Sequence, residues 1–139
     1  MQILKKVLLG LGVGIALCSN AFADVTVLDN QNASQCQRQI ASAKQRTVVV
    51  AAYESECPWW QKLQPTFDSV ASSGNYPAAY FTFDFSSAAP GVAANCLRYD
   101  PRFCPTTLVY NKSKRGYSLV RSKVGYISEG TLVGLIQGR

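Results

Sequence analysis

The sequence predicts an α/β fold: a central mixed sheet flanked by helices on both faces, in the order β-α-β-α-β-α-β-β-α. Three observations predict it. Strand-like and helix-like stretches alternate along most of the chain, which is the pattern of layered α/β domains. The run "RTVVVAAY", Arg46 to Tyr53, is continuously apolar and β-branched after its first residue. Such a run suits a strand buried on both faces, hence central and parallel to a neighbour. Near the C-terminus, two strand-like runs flank the polar turn "NKSKRG", which reads as an antiparallel hairpin at the sheet's edge.

Each element has its own signal. Asp24 to Leu28 alternates apolar and polar residues and reads as a short first strand. Asn30 to Asn32 is a turn, and Ser34 can cap a helix that runs to about Lys44. After the central strand, Pro58 suits the first turn of a second helix, where its missing N–H costs nothing. Leu63, Phe67 and Val70 form one apolar stripe on that helix. "SSGNYP", Ser72 to Pro77, is a loop, and "AYFTFDF", Ala79 to Phe85, is an aromatic strand. Ser86 to Gly91 turns the chain into a short helix, Val92 to Tyr99, which Asp100-Pro101 ends. Thr106 to Tyr110 and Tyr117 to Val124 are the hairpin strands. Ser128 and Glu129 open the last helix, which buries Leu132, Leu135 and Ile136. The sequence contains no repeat, low-complexity tract or interior linker.

Residues 1–23 read as a secretory signal peptide. Lys5 and Lys6 form a positive n-region, Val7 to Leu17 is an apolar core, and Ala21-Phe22-Ala23 offers small residues at a cleavage site. The apolar run is too short for a stable membrane anchor. Leu17 before Cys18 does not fit a lipoprotein signal. The expected mature protein is one domain, residues 24–139, in the periplasm or secreted. The full chain has 14 basic and 8 acidic residues, a net charge of +6. Without Lys5 and Lys6 the bias is milder, and much of it lies in Lys112, Lys114, Arg115, Arg121 and Lys123. That run is either a solvated hairpin or a face for an anionic partner or an envelope surface. Nucleic acid is not expected as a partner after export.

Cys36, Cys57, Cys96 and Cys104 remain once Cys18 leaves with the signal. An even number in an oxidising compartment suggests disulfides, and four cysteines allow three complete pairings. The chain has no histidine. That excludes Ser/His and Cys/His catalysis and any His-ligated metal. A four-cysteine zinc site would normally use close Cys-x-x-Cys pairs, which are absent. No metal or organic cofactor is implied.

Three segments resemble the thioredoxin-like fold superfamily. The buried strand followed by "ESECPWW" resembles the strand and the start of the active-site helix. "RFCPTTLVY", Arg102 to Tyr110, resembles the segment around the family's cis-proline, here Pro105. "KVGYISEGTLVGLI", Lys123 to Ile136, resembles the last strand, its glycine and the closing helix. The resemblance implies a thioredoxin-like fold and places the first cysteine of the Cys-x-x-Cys motif at Cys57. The second falls on Trp60, so the local release step of ordinary thioredoxin chemistry is missing. The buried acid of many members falls on Ala51, and the aromatic residue before the first cysteine is Glu56. At a helix N-terminus Cys57 would be favoured as a thiolate, while Glu54 and Glu56 oppose its charge.

The resemblance also sets Cys104, the residue before Pro105, across a small groove from Cys57. A Cys57–Cys104 bond would be structural or a redox pair, with Cys104 in the resolving role. Cys36 and Cys96 would then lie on the first and third helices, which share one face of the sheet. Their bond would staple that layer. Cys96–Cys104 is the main competing pairing. Trp59 and Trp60 are neighbours on a helix, so one packs inward and the other can be a platform for extended peptides. Pro105 is either a rigid turn or a backbone docking edge. Two functions follow as expectations. The first is an exported, atypical thiol–disulfide oxidoreductase or isomerase acting on protein or peptide thiols and disulfides. The second is a catalytically silent binding module of a cell-envelope assembly. A monothiol protein with Cys57 free is a weaker third.

Overall fold

The computed structural model describes residues 24–139; the leader read from residues 1–23 lies outside them. The elements are β1 (Val25–Val27), α1 (Ala33–Ala41), β2 (Thr47–Tyr53), α2 (Pro58–Ser72), β3 (Ala79–Asp84), α3 (Val92–Leu97), β4 (Thr106–Ser113), β5 (Gly116–Val124) and α4 (Glu129–Gln137). The five strands form one sheet in the order β1-β3-β2-β4-β5. β3 runs parallel to both β1 and β2, while β4 is antiparallel to β2 and to β5. The β-branched run of β2 is therefore central, and Val48 to Ala52 are fully buried.

Side chains alternate across a strand, and this alternation builds two cores. On one face Val48, Val50 and Ala52 pack with Leu108 and Tyr110 beneath Cys36 and Ile40 of α1 and Cys96 and Leu97 of α3. On the other, Val49, Ala51 and Val109 pack beneath Leu63 and Phe67 of α2 and Leu132 and Ile136 of α4. The C-terminal ends of β2 and β3 and the start of β4 meet at one end of the sheet.

Several element ends differ from the sequence reading, each for a local reason. Asn32, not Ser34, caps α1: its side-chain oxygen accepts the Gln35 N–H at 2.9 Å. Asp29 in turn accepts the N–H groups of Gln31 and Asn32, at 2.8 and 3.0 Å, which fixes the approach to the helix. α1 stops at Ala41 rather than near Lys44. The hairpin is tighter than "NKSKRG" suggests. β4 and β5 continue to Ser113 and from Gly116, leaving only Lys114 and Arg115 in the turn. Gly116 leaves that turn at φ +134°, in the region that favours glycine.

Candidate functional site

The site begins where β2 ends. Glu54 to Cys57 cross from that strand to α2, and two contacts fasten the crossing. Phe85 donates its N–H to the Tyr53 carbonyl at 2.9 Å, and Ser55 donates its N–H to the Ser86 hydroxyl at 3.2 Å. That hydroxyl donates to Asp84 at 2.6 Å. Glu56 sits at φ 63°, a left-handed conformation that costs a non-glycine residue energy. Cys57 follows as the N-cap of α2, with Pro58 in the first helical position. Helix N–H groups and dipole converge there and favour negative charge.

Cys104 reaches the same place from the other side. Its peptide bond to Pro105 is cis. Thr106 donates its hydroxyl to the Phe103 carbonyl at 2.7 Å, and Gly125 donates its N–H to the Pro105 carbonyl at 2.7 Å. These bonds fix the loop against the end of β5. Cys57 and Cys104 are joined by a disulfide, with Cα atoms 6.6 Å apart. The Glu54 N–H donates to the Cys104 sulfur at 3.2 Å. The bond thus ties the start of α2 to the loop before β4, and both cysteines keep partial exposure.

The other pair differs in setting. Cys36 and Cys96 are bonded with Cα atoms 5.9 Å apart, and both are 0% exposed. They staple α1 to α3 within one core. The competing Cys96–Cys104 bond is not formed.

The two tryptophans separate clearly. Trp60 is 5% exposed, stacks on Tyr53 with ring centroids 4.9 Å apart, and meets Phe67 edge-on at 6.1 Å. Read from the sequence as a binding candidate, it is instead a core residue: the helical step that turns Trp59 outward turns Trp60 onto the sheet. Trp59 is 56% exposed. Lys62, one turn on, places its ammonium 5.9 Å from the Trp59 ring and 4.7 Å from the Tyr126 ring. Phe103, next to Cys104, is 62% exposed. Pro105 is buried, and its carbonyl already has the Gly125 partner.

Beneath the site, Ala51 is fully buried. Its ladder partner Thr107 is also buried, and the Thr107 hydroxyl has no hydrogen-bond partner. Tyr53 is held above its ordinary pKa, first by burial and then by the Asp84 carboxylate. It stays a neutral phenol at neutral pH. Among the described residues no cluster of acids and cysteines is arranged to hold a metal ion.

The structure thus brings Cys57, Cys104, Trp59 and Pro105 to one end of the sheet, with Trp60 underneath and Cys36 and Cys96 in the core of the α1/α3 face. Phe103, Lys62 and Tyr126 join the surface although the sequence reading passed over them. Phe103 could have been found from its place beside Cys104, and Tyr126 from its place after Gly125. No sequence signal marks the Glu54 N–H, because every residue but proline carries one.

No protein-family model and no curated protein sequence matches the chain. Solved structures do. A thioredoxin variant from Halobacterium salinarum superposes with a TM-score of 0.65 at 20% identity, over 83% of this chain and 89% of that one. Spinach chloroplast thioredoxin f in its short form gives 0.65 at 17% identity, over 85% and 95%. Trichomonas vaginalis thioredoxin gives 0.64 at 18% identity, over 82% and 97%. The fold of this chain is thioredoxin-like.

Proposed function

We propose that this thioredoxin-like chain is an exported thiol–disulfide oxidoreductase or isomerase of atypical type, with Cys57 and Cys104 as its redox pair. The contrast between the two disulfides carries the reading. Cys36–Cys96 is sealed in a core, as a staple should be, whereas Cys57–Cys104 is only half-buried, at a helix N-terminus and beside exposed aromatic rings.

The chemistry closes without a second cysteine on α2. In the reducing direction the Cys57 thiolate attacks one sulfur of a substrate disulfide. A mixed disulfide forms, and the other substrate sulfur leaves as a thiolate that takes a proton from water. The Cys104 thiolate then attacks the Cys57 sulfur, which releases the second substrate thiolate and re-forms the Cys57–Cys104 bond. The protein has lost two electrons and the substrate has gained them. Running the steps backwards oxidises a substrate dithiol. The helix N-terminus favours the thiolate at Cys57, and the Glu54 N–H favours it at Cys104. The cycle needs an external dithiol or disulfide partner to restore the starting state.

Export is supported by the n-region, apolar core and Ala21-Phe22-Ala23 site of residues 1–23, and by a domain whose four cysteines are all in disulfides. N-terminal sequencing of the protein recovered from cells should begin at Asp24; an N-terminus at Met1 would refute cleavage. A binding module of an envelope assembly is the alternative, favoured by Trp59, Phe103 and Tyr126 exposed around a closed bond.

A glutathione titration followed by thiol alkylation and mass spectrometry separates the two. The redox reading expects Cys57–Cys104 to reduce within about −120 to −270 mV, the range of oxidoreductases. A potential below about −300 mV points to the binding module. Reductase and isomerase activity that survives in Cys57→Ser would sink the enzyme.

A further inference from the structure

The end of the sheet opposite the disulfide carries a second feature. Lys44 and Arg46 precede β2, Lys112, Lys114 and Arg115 form the tip of the β4–β5 hairpin, and Arg139 ends the chain beside Thr47. The ladder brings the first two groups together: Thr47 pairs with Asn111, and Lys112 donates its N–H to the Arg46 carbonyl at 2.7 Å. The Lys112 ammonium also bonds the Ala43 carbonyl, which fixes it in place. All but Lys112 are exposed. None of the six has a carboxylate partner: among the described residues the ion pair formed is Arg102–Asp100, at the other end.

We infer that this basic pole docks the protein on an anionic bilayer surface, with the disulfide facing away from the lipid. Two observations favour a bilayer over a soluble anion. First, the cations come from three separate chain segments and spread over a whole end of the molecule, whereas a small anion needs them to converge. The depression they line, about 340 Å³ between Lys44, Arg46, Lys112 and Lys114, is a place for one headgroup phosphate within a broader contact. Second, acids outnumber bases at the opposite pole, so an anionic surface orients the molecule one way round. Asp29, Glu54, Glu56, Asp84, Asp100 and Glu129 lie near the disulfide end, against Lys62, Arg102 and Lys123. No described helix is long and apolar enough to cross a membrane, so the contact is peripheral.

Each cation near an anionic bilayer strengthens binding about fivefold, and salt weakens it. The test is co-sedimentation of the protein recovered from the exporting host. It uses large vesicles of pure phosphatidylcholine and vesicles in which about a third of the lipid is phosphatidylglycerol. Binding is expected to the anionic vesicles only and to disappear in high salt. The variant K44Q/K114Q/R115Q changes only exposed side chains and should bind about 100-fold more weakly, with its Cys57–Cys104 potential unchanged. Equal binding to both vesicles, or undiminished binding of the triple variant, overturns the inference. So does retention on heparin without binding to the anionic vesicles, which would assign the pole to a soluble polyanion. None of these outcomes touches the redox reading, which the titration above decides on its own.

Discussion

A helical step of about 100° separates Trp59 from Trp60, and that step decides what removing each would do. Trp60 fills the space between Tyr53 and Phe67. Trp60→Ala opens a cavity there, and denaturant unfolding should show a loss of about 3–5 kcal/mol. Trp59→Ala removes an exposed ring and should leave stability within about 0.5 kcal/mol, while weakening capture of an extended thiol peptide. The sequence made one inward and one outward ring legible. It did not say which, because the two are adjacent and the stripe of Leu63, Phe67 and Val70 fixes the buried face only to within part of a turn. Thr107 sets a second residue-scale test. Its hydroxyl is buried without a partner below the disulfide. Thr107→Val keeps the shape and removes the stranded polar group, so the variant should be more stable by about 1 kcal/mol or more. A thermal or denaturant midpoint lower than wild type would mean that the hydroxyl has a partner in solution.

At the scale of elements, the two disulfides tie different parts together and should open in different order. Cys36–Cys96 closes a separation of 60 residues and joins α1 to α3 inside a core. Loop entropy alone makes such a link worth about 4 kcal/mol, and removing both cysteines with Cys36→Ala and Cys96→Ala should cost about that much. Graded reductant followed by alkylation should label Cys57 and Cys104 first and leave Cys36 and Cys96 protected until the fold opens. Labelling in the reverse order would contradict the division of roles. The strands carry a pH signal as well. Burial raises Tyr80 of β3 to about 12 and raises Tyr110 of β4 further. Both are essentially neutral in either state up to about pH 9. Above that, the unfolded chain loses phenol protons that the folded chain keeps, so stability falls as pH rises from 10 towards the folded pKa. Tyr80→Phe should flatten this fall, read from denaturant midpoints between pH 9 and 12. The strands behind these effects were readable because burial on both faces demands uninterrupted apolar runs. Element ends were less so: Asn32 and Ser34 have the same capping chemistry, and only the Asp29 turn selects Asn32. The Cys57–Cys104 contact joins residues 47 apart in sequence, which no local pattern encodes. It was legible only through the family resemblance.

The whole molecule is electrically divided, and net charge conceals it. Six of the eight acids, Asp29, Glu54, Glu56, Asp84, Asp100 and Glu129, lie near the ends of β1, β2, β3 and β5 or in the loop before Cys104. The sum of charges read from the sequence is positive, yet at the end that carries the disulfide these six carboxylates outnumber the cations there, Lys62, Arg102 and Lys123. The sheet topology separates the charges: every strand end that leads towards the disulfide is followed or closed by an acid, and the hairpin tip and the start of β2 are basic. A field of this kind acts on encounter rates, because it raises the local concentration of oppositely charged partners before any contact is made. A cationic dithiol peptide should therefore react with Cys57–Cys104 several-fold faster than an acidic peptide of the same length at low salt. The gap should close as the Debye length shrinks from about 8 Å at physiological ionic strength to about 3 Å at 1 M. Stopped-flow rates across a salt series test this, and Glu54→Gln with Glu56→Gln should narrow the gap at low salt while leaving high-salt rates nearly unchanged. The same two carboxylates also oppose a thiolate at Cys57. A change in rate that persists at high salt would therefore report thiolate stability rather than steering, and equal low-salt rates for the two peptides would dismiss steering altogether.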